Sequence, residues 1–165
     1  MMRLLFTLLA LLSLAVTLTL TAGASPAHAG QTITIDGSSG GGTVNDNVWG
    51  NGTPPDGTPL GTPPESATGN AVNINSGGTV AGDGILSNGD VYGGYASSTG
   101  SGPAAATGNS VTVNSGGTVI GDIYGGSATS TSGTATASGN SVTISGGTVG
   151  AVDGGIVYGG SWLSG

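Results

Sequence analysis

A repeated sequence pattern constrains this chain of 165 residues more than any other feature. The run Gly–Asn–Ser–Val–Thr–Val–Asn–Ser–Gly–Gly–Thr–Val at 108–119 recurs with small changes at 69–80 and at 139–149, and a weaker version begins at Gln31. Each version leads to an apolar residue, an aromatic residue and a glycine. These versions define copy 1 (30–49), copy 2 (69–107), copy 3 (108–138) and copy 4 (139–165). Repetition of this kind is typical of solenoids, in which successive copies stack on one another.

Inside each copy the hydrophobic pattern is that of a β-strand. Apolar and small polar residues alternate, as in Val111, Thr112 and Val113, and a period of two residues indicates a strand. Helix is disfavoured because the chain holds 36 glycines, and each glycine inside a helix costs about 1 kcal/mol relative to alanine. We therefore predict an all-β solenoid of about four imperfect parallel repeats. Its stacking would align Ile33, Val72, Val111 and Val142.

The segments between the repeated blocks vary in length and have the composition of loops. Residues 50–68 contain five of the seven prolines, and proline cannot donate to a strand ladder. We predict that this segment is an exposed loop insertion. The Ser, Thr, Ala and Gly runs at 96–107 and 127–138 are predicted to be surface connections.

The first 29 residues have the pattern of a secretory signal peptide. Met1–Arg3 is a short basic start, an apolar run extends from Leu4 to Leu20, and Ala27–His28–Ala29 resembles a cleavage site. We predict export, with cleavage after Ala29. An uncleaved membrane anchor is the alternative, because the apolar run approaches the length needed to span a membrane.

Removal of residues 1–29 leaves a chain without a single Lys, Arg, His, Cys or Met, whose only charged side chains are seven Asp and Glu65. Binding to nucleic acid or to anionic membranes relies on clustered Lys and Arg, so neither is an expected partner. Nucleophilic catalysis of the Ser–His–Asp kind lacks its base, and metals that prefer His or Cys lack their ligands. We predict no cofactor, no metal and no catalytic residue.

Acidic residues provide the remaining enzymatic alternative. Paired carboxylates cleave glycosidic bonds in many enzymes, and the candidates here are Asp83, Asp90, Asp122 and Asp153. Calcium could be bound by the oxygen-rich runs Gly82–Gly84 and Asn88–Asp90. Asp, Asn and Gly are also the usual turn residues, and we favour that interpretation.

Two sets of residues recur at equivalent positions and are candidates for a structural or binding role. The first set could form a ladder of side-chain amides along the stack, or could simply favour a turn: Asn70, Asn109 and Asn140. The second set could pack between copies or present a row of rings for contact with a sugar or a protein: Trp49, Tyr92, Tyr124 and Tyr158.

A rank of threonines suggests a further alternative. Thr34, Thr112 and Thr143 would face outward from equivalent strands, and flat threonine arrays on β-solenoids bind ice. Asn73 interrupts this rank, and the copies vary in length. The pattern therefore favours ice binding less than adhesion.

The repeated run, followed by Asp–Ile–Tyr–Gly–Gly at 122–126 or a similar sequence, resembles the passenger repeats of bacterial autotransporters and related haemagglutinin-like surface proteins. The resemblance covers residues 31–165. It implies a right-handed parallel β-helix, passage through the inner membrane, and display at the outer membrane or beyond, commonly for adhesion. These proteins normally end in a membrane β-barrel of alternating strands, and no such pattern occurs in this sequence.

The combined expectation is a non-enzymatic β-solenoid module, secreted or displayed at the cell surface. Its expected role is adhesion to a glycan or protein of a host or cell surface. A truncated passenger without function is the alternative, together with the carbohydrate-active and ice-binding interpretations.

Overall fold

The computed structural model describes residues 28–37, 42–51, 65–85, 88–150 and 157–164. These residues form short β-strands and no α-helix. The strands are β1 (His28–Ala29), β2 (Thr32–Ile35), β3 (Thr43–Val44), β4 (Val48–Trp49), β5 (Ser66–Thr68), β6 (Ala71–Ile74), β7 (Thr79–Val80), β8 (Val91–Tyr92), β9 (Tyr95–Ser98), β10 (Ala104–Thr107), β11 (Ser110–Asn114), β12 (Thr118–Val119), β13 (Ile123–Tyr124), β14 (Ser127–Ser130), β15 (Ala135–Ser138), β16 (Ser141–Ser145), β17 (Thr148–Val149), β18 (Val157–Tyr158) and β19 (Ser161–Ser164).

The described strands assemble into stacked sheets in which the paired strands run parallel. Sheet A is β1–β5–β10–β15, sheet B is β2–β6–β11–β16, and sheet C is β3–β7–β12–β17. Sheet D is β4–β8–β13–β18, and sheet E is β9–β14–β19. From β5 onward the chain visits sheets A, B, C, D and E in that order and then begins again at A. This is the arrangement expected of a β-solenoid, and the all-β prediction is confirmed.

The register between strands agrees with the alignment of the sequence copies. Val111 pairs with Val72 on one side and with Val142 on the other, and Ile33 pairs with Val72. The aromatic positions agree as well, because Tyr124 pairs with Tyr92 and with Tyr158. A one-residue slip would turn every side chain to the opposite face, so the buried pattern itself specifies this register.

Large apolar side chains fill the space enclosed by sheets B, C and D. Along β11 burial alternates with the side-chain period, so that Val111 and Val113 are buried while Thr112 is partly exposed. We call the buried set the Val/Ile cluster, and its members are Ile35, Val48, Val72, Ile74, Val80, Val91, Val111, Val113, Val119 and Ile123.

A second and separate core lies between sheets A and E. β10 packs against β9 and β14, and β14 also packs against β15. The side chains between these strands are small. We call them the Ala cluster, and its members are Ala67, Ala96, Ala104, Ala106, Ala128 and Ala135.

The prediction of surface connections at 96–107 and 127–138 was wrong. These segments contain most of β9, all of β10, and all of β14 and β15, and five of their seven alanines are buried. The error arose because short runs of Ala, Ser and Thr have the composition of a loop. Close approach of two sheets selects small side chains for the buried positions, so the hydrophobic alternation is weak although the burial alternates.

The two remaining predicted segments are described only in part. Residues 1–27 of the predicted signal peptide lie outside the described residues, and His28–Ala29 forms β1, which pairs with β5. Residues 52–64 of the predicted proline-rich loop also lie outside them, and the end of that segment, Ser66–Thr68, is β5. In the part of the chain that the structure describes, no helix is long and apolar enough to cross a membrane.

Candidate functional site

A continuous series of side-chain amides runs through the molecule where sheet A turns into sheet B. Asn70 Nδ2 donates to Asn109 Oδ1 at 3.0 Å, and Asn109 Nδ2 donates to Asn140 Oδ1 at 3.0 Å. The same oxygens accept from the backbone N–H groups of Asn70 and Asn109 at 3.0 and 2.9 Å. Gln31 N–H donates in the same way to Asn70 Oδ1 at 3.0 Å. We call Gln31, Asn70, Asn109 and Asn140 the amide ladder.

The ladder also bonds to the backbone of sheet A. Asn109 Nδ2 donates to the carbonyl of Ala67 at 3.0 Å, and Asn140 Nδ2 donates to that of Ala106 at 2.9 Å. Both hydrogens of the Asn109 Nδ2 group are thus used. Satisfied in this way, the amide of Asn109 can be completely buried, whereas an unpaired amide at this depth would cost about 1–3 kcal/mol.

The turn before each asparagine of the ladder requires glycine. Gly108 has a φ of 64°, a left-handed conformation that side chains other than glycine rarely adopt. Gly69 and Gly139 occupy the equivalent turns with φ values of 67° and 63°. These three glycines therefore act as turn residues.

The glycines of the Tyr–Gly–Gly runs have a different role, because their lack of a side chain leaves space for neighbouring atoms. A Cβ atom at Gly126 would lie 2.5 Å from Cγ of Asn140, and one at Gly94 would lie 2.5 Å from Cγ of Asn109. At the preceding position, a Cβ on Gly125 would lie 2.5 Å from the carbonyl oxygen of Gly159. Gly94 and Gly126, the second glycines of these runs, therefore approach the amide ladder from the opposite wall. The ladder and these glycines together separate the Val/Ile cluster from the Ala cluster.

The predicted aromatic residues lie along sheet D, and three of them form a stack. The rings of Tyr92 and Tyr124 are 4.7 Å apart with an interplanar angle of 5°, and those of Tyr124 and Tyr158 are 5.0 Å apart at 8°. Tyr92 and Tyr124 are partly exposed, and Tyr158 is 39% exposed. Stacking of the rings covers their faces within the row.

Trp49 pairs with Tyr92 in the strand register, but its ring contacts Tyr95, which is not among the predicted aromatic residues. It stacks on Tyr95 with centroids 6.1 Å apart, and Tyr95 meets Tyr92 edge-on at 5.7 Å. We call Trp49, Tyr92, Tyr95, Tyr124 and Tyr158 the aromatic face. Tyr95 could not be found from the repeats, because Ser127 and Ser161 occupy its equivalent positions.

Acidic residues next to the tyrosines affect their ionisation. Burial raises the pKa of Tyr124 to about 12, and the charges of Asp122 and Asp90 add to this effect. Burial, followed by the charge of Asp90, raises the pKa of Tyr92 well above its ordinary value. Tyr124 OH donates to Asp122 Oδ2 at 3.4 Å. Both phenols therefore stay protonated and neutral throughout the physiological pH range.

The acidic candidates have structural partners. Asp122 N–H donates to Asp90 Oδ1 at 2.9 Å, and Asp90 N–H donates to Asn47 Oδ1 at 2.8 Å, which makes a second ladder beside sheet D. Asp83 is exposed and accepts from Ile85 N–H at 2.9 Å in a turn. Asp153 lies outside the described residues.

Metal-binding side chains do not gather in the described part of the chain, where no three His, Cys, Asp or Glu residues form a group that could hold an ion. Of the runs considered for calcium, Gly82–Gly84 is part of the loop between β7 and β8, with Asp83 bonded within its turn. In Asn88–Asp90, the carboxylate of Asp90 accepts from the next copy. These contacts are those of turn and ladder residues.

Threonine ranks occur on sheets B and C. Thr34, Asn73, Thr112 and Thr143 are in register on sheet B, so Asn73 interrupts that rank as the sequence indicated. Sheet C carries an uninterrupted rank that the sequence reading missed, formed by Thr43, Thr79, Thr118 and Thr148. The repeated Gly–Gly–Thr–Val is the pattern from which this rank could have been predicted.

Asn51 is a second buried residue that sequence reasoning did not single out. Its Nδ2 donates to the carbonyl of Tyr95 at 3.0 Å, and its Oδ1 accepts from Tyr95 N–H at 2.9 Å. The side chain thus pairs with the edge of sheet E as a backbone amide would. No repeat marks this role, because Gly94 and Gly126 occupy the aligned positions in copies 2 and 3.

Comparison of the chain with protein-family models, with curated proteins and with solved structures found no match.

Proposed function

We propose that this chain is an exported, non-enzymatic module that acts in adhesion at the cell surface, as the passengers of autotransporters do. The finer architecture belongs to the same proposal: a right-handed parallel β-helix of four imperfect repeats, formed after removal of residues 1–29. The resemblance of the repeats to passenger sequences and the signal-peptide pattern support export. The stacked parallel sheets are compatible with this architecture.

The aromatic face is the observation that carries the adhesive role. Five aromatic side chains from β4, β8, β9, β13 and β18 are collected on one side of the molecule, although they are few in the sequence. Tyrosine and tryptophan contribute strongly to interfaces because they combine apolar area with a polar group. Phenols that remain neutral suit contact with a glycan or with a protein surface.

A binding measurement tests the role of this face. Residues 30–165 contain no lysine, so a dye on the α-amino group labels the chain once without altering the face. We expect the labelled chain to bind to cells or immobilised glycans. Tyr158→Ala should weaken this binding roughly tenfold, about 1.4 kcal/mol, which is the scale of an interface tyrosine.

Thr143→Ala is the matched control, because it changes an exposed residue of the same copy on sheet B. It should leave binding unchanged. Circular dichroism of each variant should show the same β spectrum and cooperative melting. The adhesive proposal fails if the parent chain binds no surface, or if both variants lose binding equally. A coil spectrum without a transition would instead support the truncated, non-functional alternative.

The uninterrupted threonine rank of sheet C favours ice binding as a second candidate function. Thr79 and Thr118 are partly exposed, and strands in a sheet repeat at about 4.8 Å, so the hydroxyl groups form a regular row. Thermal hysteresis measured on residues 30–165 at millimolar concentration tests this candidate. Its absence would remove the candidate, and a positive result should be lost in Thr79→Tyr.

A further inference from the structure

One end of the stack leaves apolar side chains and strand edges uncovered. β15 to β19 are the outermost strands of their sheets, and we call their outer side the terminal edge. Ile144 is 43% exposed there, whereas Ile74 and Val113 at the aligned positions are completely buried. Tyr158 is also exposed. The described part of copy 4 keeps the apolar pattern of copies 2 and 3, so its outer side offers a further strand the same apolar positions that those copies offer to their neighbours.

We propose that the terminal edge binds a second molecule of this chain, end to end, through the opposite edge formed by β2, β3 and β4. The proposal rests on the proposed export, because it concerns the chain from Gly30 onward. The contact continues an interface that already occurs between successive copies within the chain. A translated second molecule would extend sheets B, C and D without changing their register.

The residues of the two edges match at each position. In the register of the chain, Ile33, Ile35 and Trp49 hold the positions of Val142, Ile144 and Tyr158. Stacking the first set on the second would therefore place apolar residues on apolar residues and a tryptophan ring beside a tyrosine ring. The same contacts bury the equivalent Val and Ile residues of copies 2 and 3 and stack Tyr92 on Tyr124.

The amide ladder provides a polar match. In copies 1 to 3 the backbone N–H of the ladder residue donates to the amide oxygen of the following copy. Asn140 N–H would, by the same pattern, donate to the ladder residue of a second molecule. That residue is Gln31, whose side chain also ends in an amide.

Charge permits this orientation. The described residues of copy 4 include no charged side chain, whereas copy 1 carries Asp36 and Asp46. The described strands that would meet, β2 to β4 and β16 to β18, contain no charged residue, so their pairing would not bring like charges together. Residues 30–165 also lack the lysines with which many proteins protect exposed strand edges. The overall negative charge still opposes association, so added salt should strengthen it.

Two proline variants can block the two edges separately. Ser141 N–H donates to the carbonyl of Asn109, so the alternation of backbone groups turns the N–H of Ile144 outward from the terminal edge. The carbonyl of Ile35 faces β6, so the N–H of Thr34 faces outward from the opposite edge. Proline is tolerated at such edge positions, where it removes only an outward donor. Thr112→Ala, within copy 3, is the control.

Sedimentation velocity of residues 30–165 over a range of concentrations tests the proposal. We expect association that increases with concentration and salt, and open-ended growth, because an end-to-end contact does not close on itself. Thr34→Pro and Ile144→Pro should each be monomeric, their equimolar mixture should form dimers and nothing larger, and Thr112→Ala should behave as the parent.

A parent chain that stays monomeric at every concentration and salt overturns the proposal, and this outcome does not depend on the folding of any variant. Dimers of Thr34→Pro alone would also overturn it, because they would require two terminal edges to pair with each other. Cell binding without self-association would reject this inference and leave the adhesive role intact. Self-association without cell binding would support this inference and reject the adhesive role.

Discussion

The two cores of this molecule are built from different side chains and hold different sheets together. The Val/Ile cluster fills the space among sheets B, C and D, and full burial of one such side chain contributes about 1.5–3 kcal/mol. The Ala cluster lies between sheets A and E, and each of its methyl groups contributes only about 0.8 kcal/mol. The first core thus supplies most of the hydrophobic stabilisation, whereas the second provides the small surfaces that let two sheets pack.

The boundary between the cores is polar and narrow. The amide ladder reaches across from one wall, and the second glycines of the Tyr–Gly–Gly runs approach from the other. A side chain at Gly94 or Gly126 would collide with the ladder. This shows that a repeat rich in glycine and asparagine can be tightly packed, with the glycines at points of contact as well as at turns.

The largest predicted effect comes from a truncation in the Val/Ile cluster. Ile74→Ala should lower the free energy of unfolding by about 2–5 kcal/mol, because a completely buried isoleucine leaves a cavity. Ile144→Ala is the matched comparison, since Ile144 holds the aligned position but is 43% exposed, and its cost should be well under half as large. Chemical unfolding followed by circular dichroism measures both. Equal losses would contradict the assignment of Ile74 to the core.

Enlargement of a residue in the Ala cluster should have the next largest effect. Ala106→Leu should destabilise by about 1–3 kcal/mol or more, because the buried methyl group faces a closely packed sheet. Ala105→Leu changes the neighbouring, partly exposed residue of β10 and should fall within about 0.5 kcal/mol of the parent. If Ala106→Leu were as stable as Ala105→Leu, sheets A and E could not be packed as described.

Loss of a ladder amide tests the boundary between the cores. Asn109→Ala should cost about 1–3 kcal/mol, because the backbone N–H and the side-chain Nδ2 of Asn70 both lose their acceptor. Asn73→Ala removes a partly exposed amide of β6 and should have little effect. Thermal melting of the two variants provides the comparison. Similar melting temperatures would show that the ladder adds no stability.

The smallest predicted effect is a change in alkaline stability. Because the pKa of Tyr124 is raised to about 12 in the folded chain, its contribution is complete below pH 10. It is lost as the pH rises from about 10 to about 12, where the unfolded chain has released the proton and the folded chain still holds it. Tyr124→Phe should therefore reduce the fall of stability in this range. An unchanged slope in a pH series of melting curves would argue against the shifted pKa.

The Val/Ile cluster could be predicted from sequence, and the Ala cluster could not. Val111 and Val113 alternate with polar residues, and large buried side chains are conspicuous in such a pattern. Ala104 and Ala106 alternate with Ala105 and Thr107, which are nearly as small, so the local sequence does not distinguish the buried side from the exposed one. The loop predicted from the prolines at 54–64 extended to residue 68 and so included β5, which begins at Ser66.

The residues of the candidate site also divide into those that the repeats predict and those that they do not. Asn109 and Tyr124 recur in the copies, and stacking of equivalent positions brings them beside their counterparts. Tyr95 and Asn51 occur once and acquire their roles only through partners 44 residues apart in the chain. Nothing in the neighbourhood of either residue in the sequence indicates that they meet.

The sequence by itself determined that this chain is a stack of parallel strands and which residues of successive copies lie in register. It could do so because the side-chain period and the repeats are local properties, visible at every copy. Only the tertiary structure decided that alanine-rich segments form a second core and that a tryptophan stacks on Tyr95 and not on its register partner. Burial of a methyl group, or contact between rings of different strands, depends on how closely two distant walls approach each other.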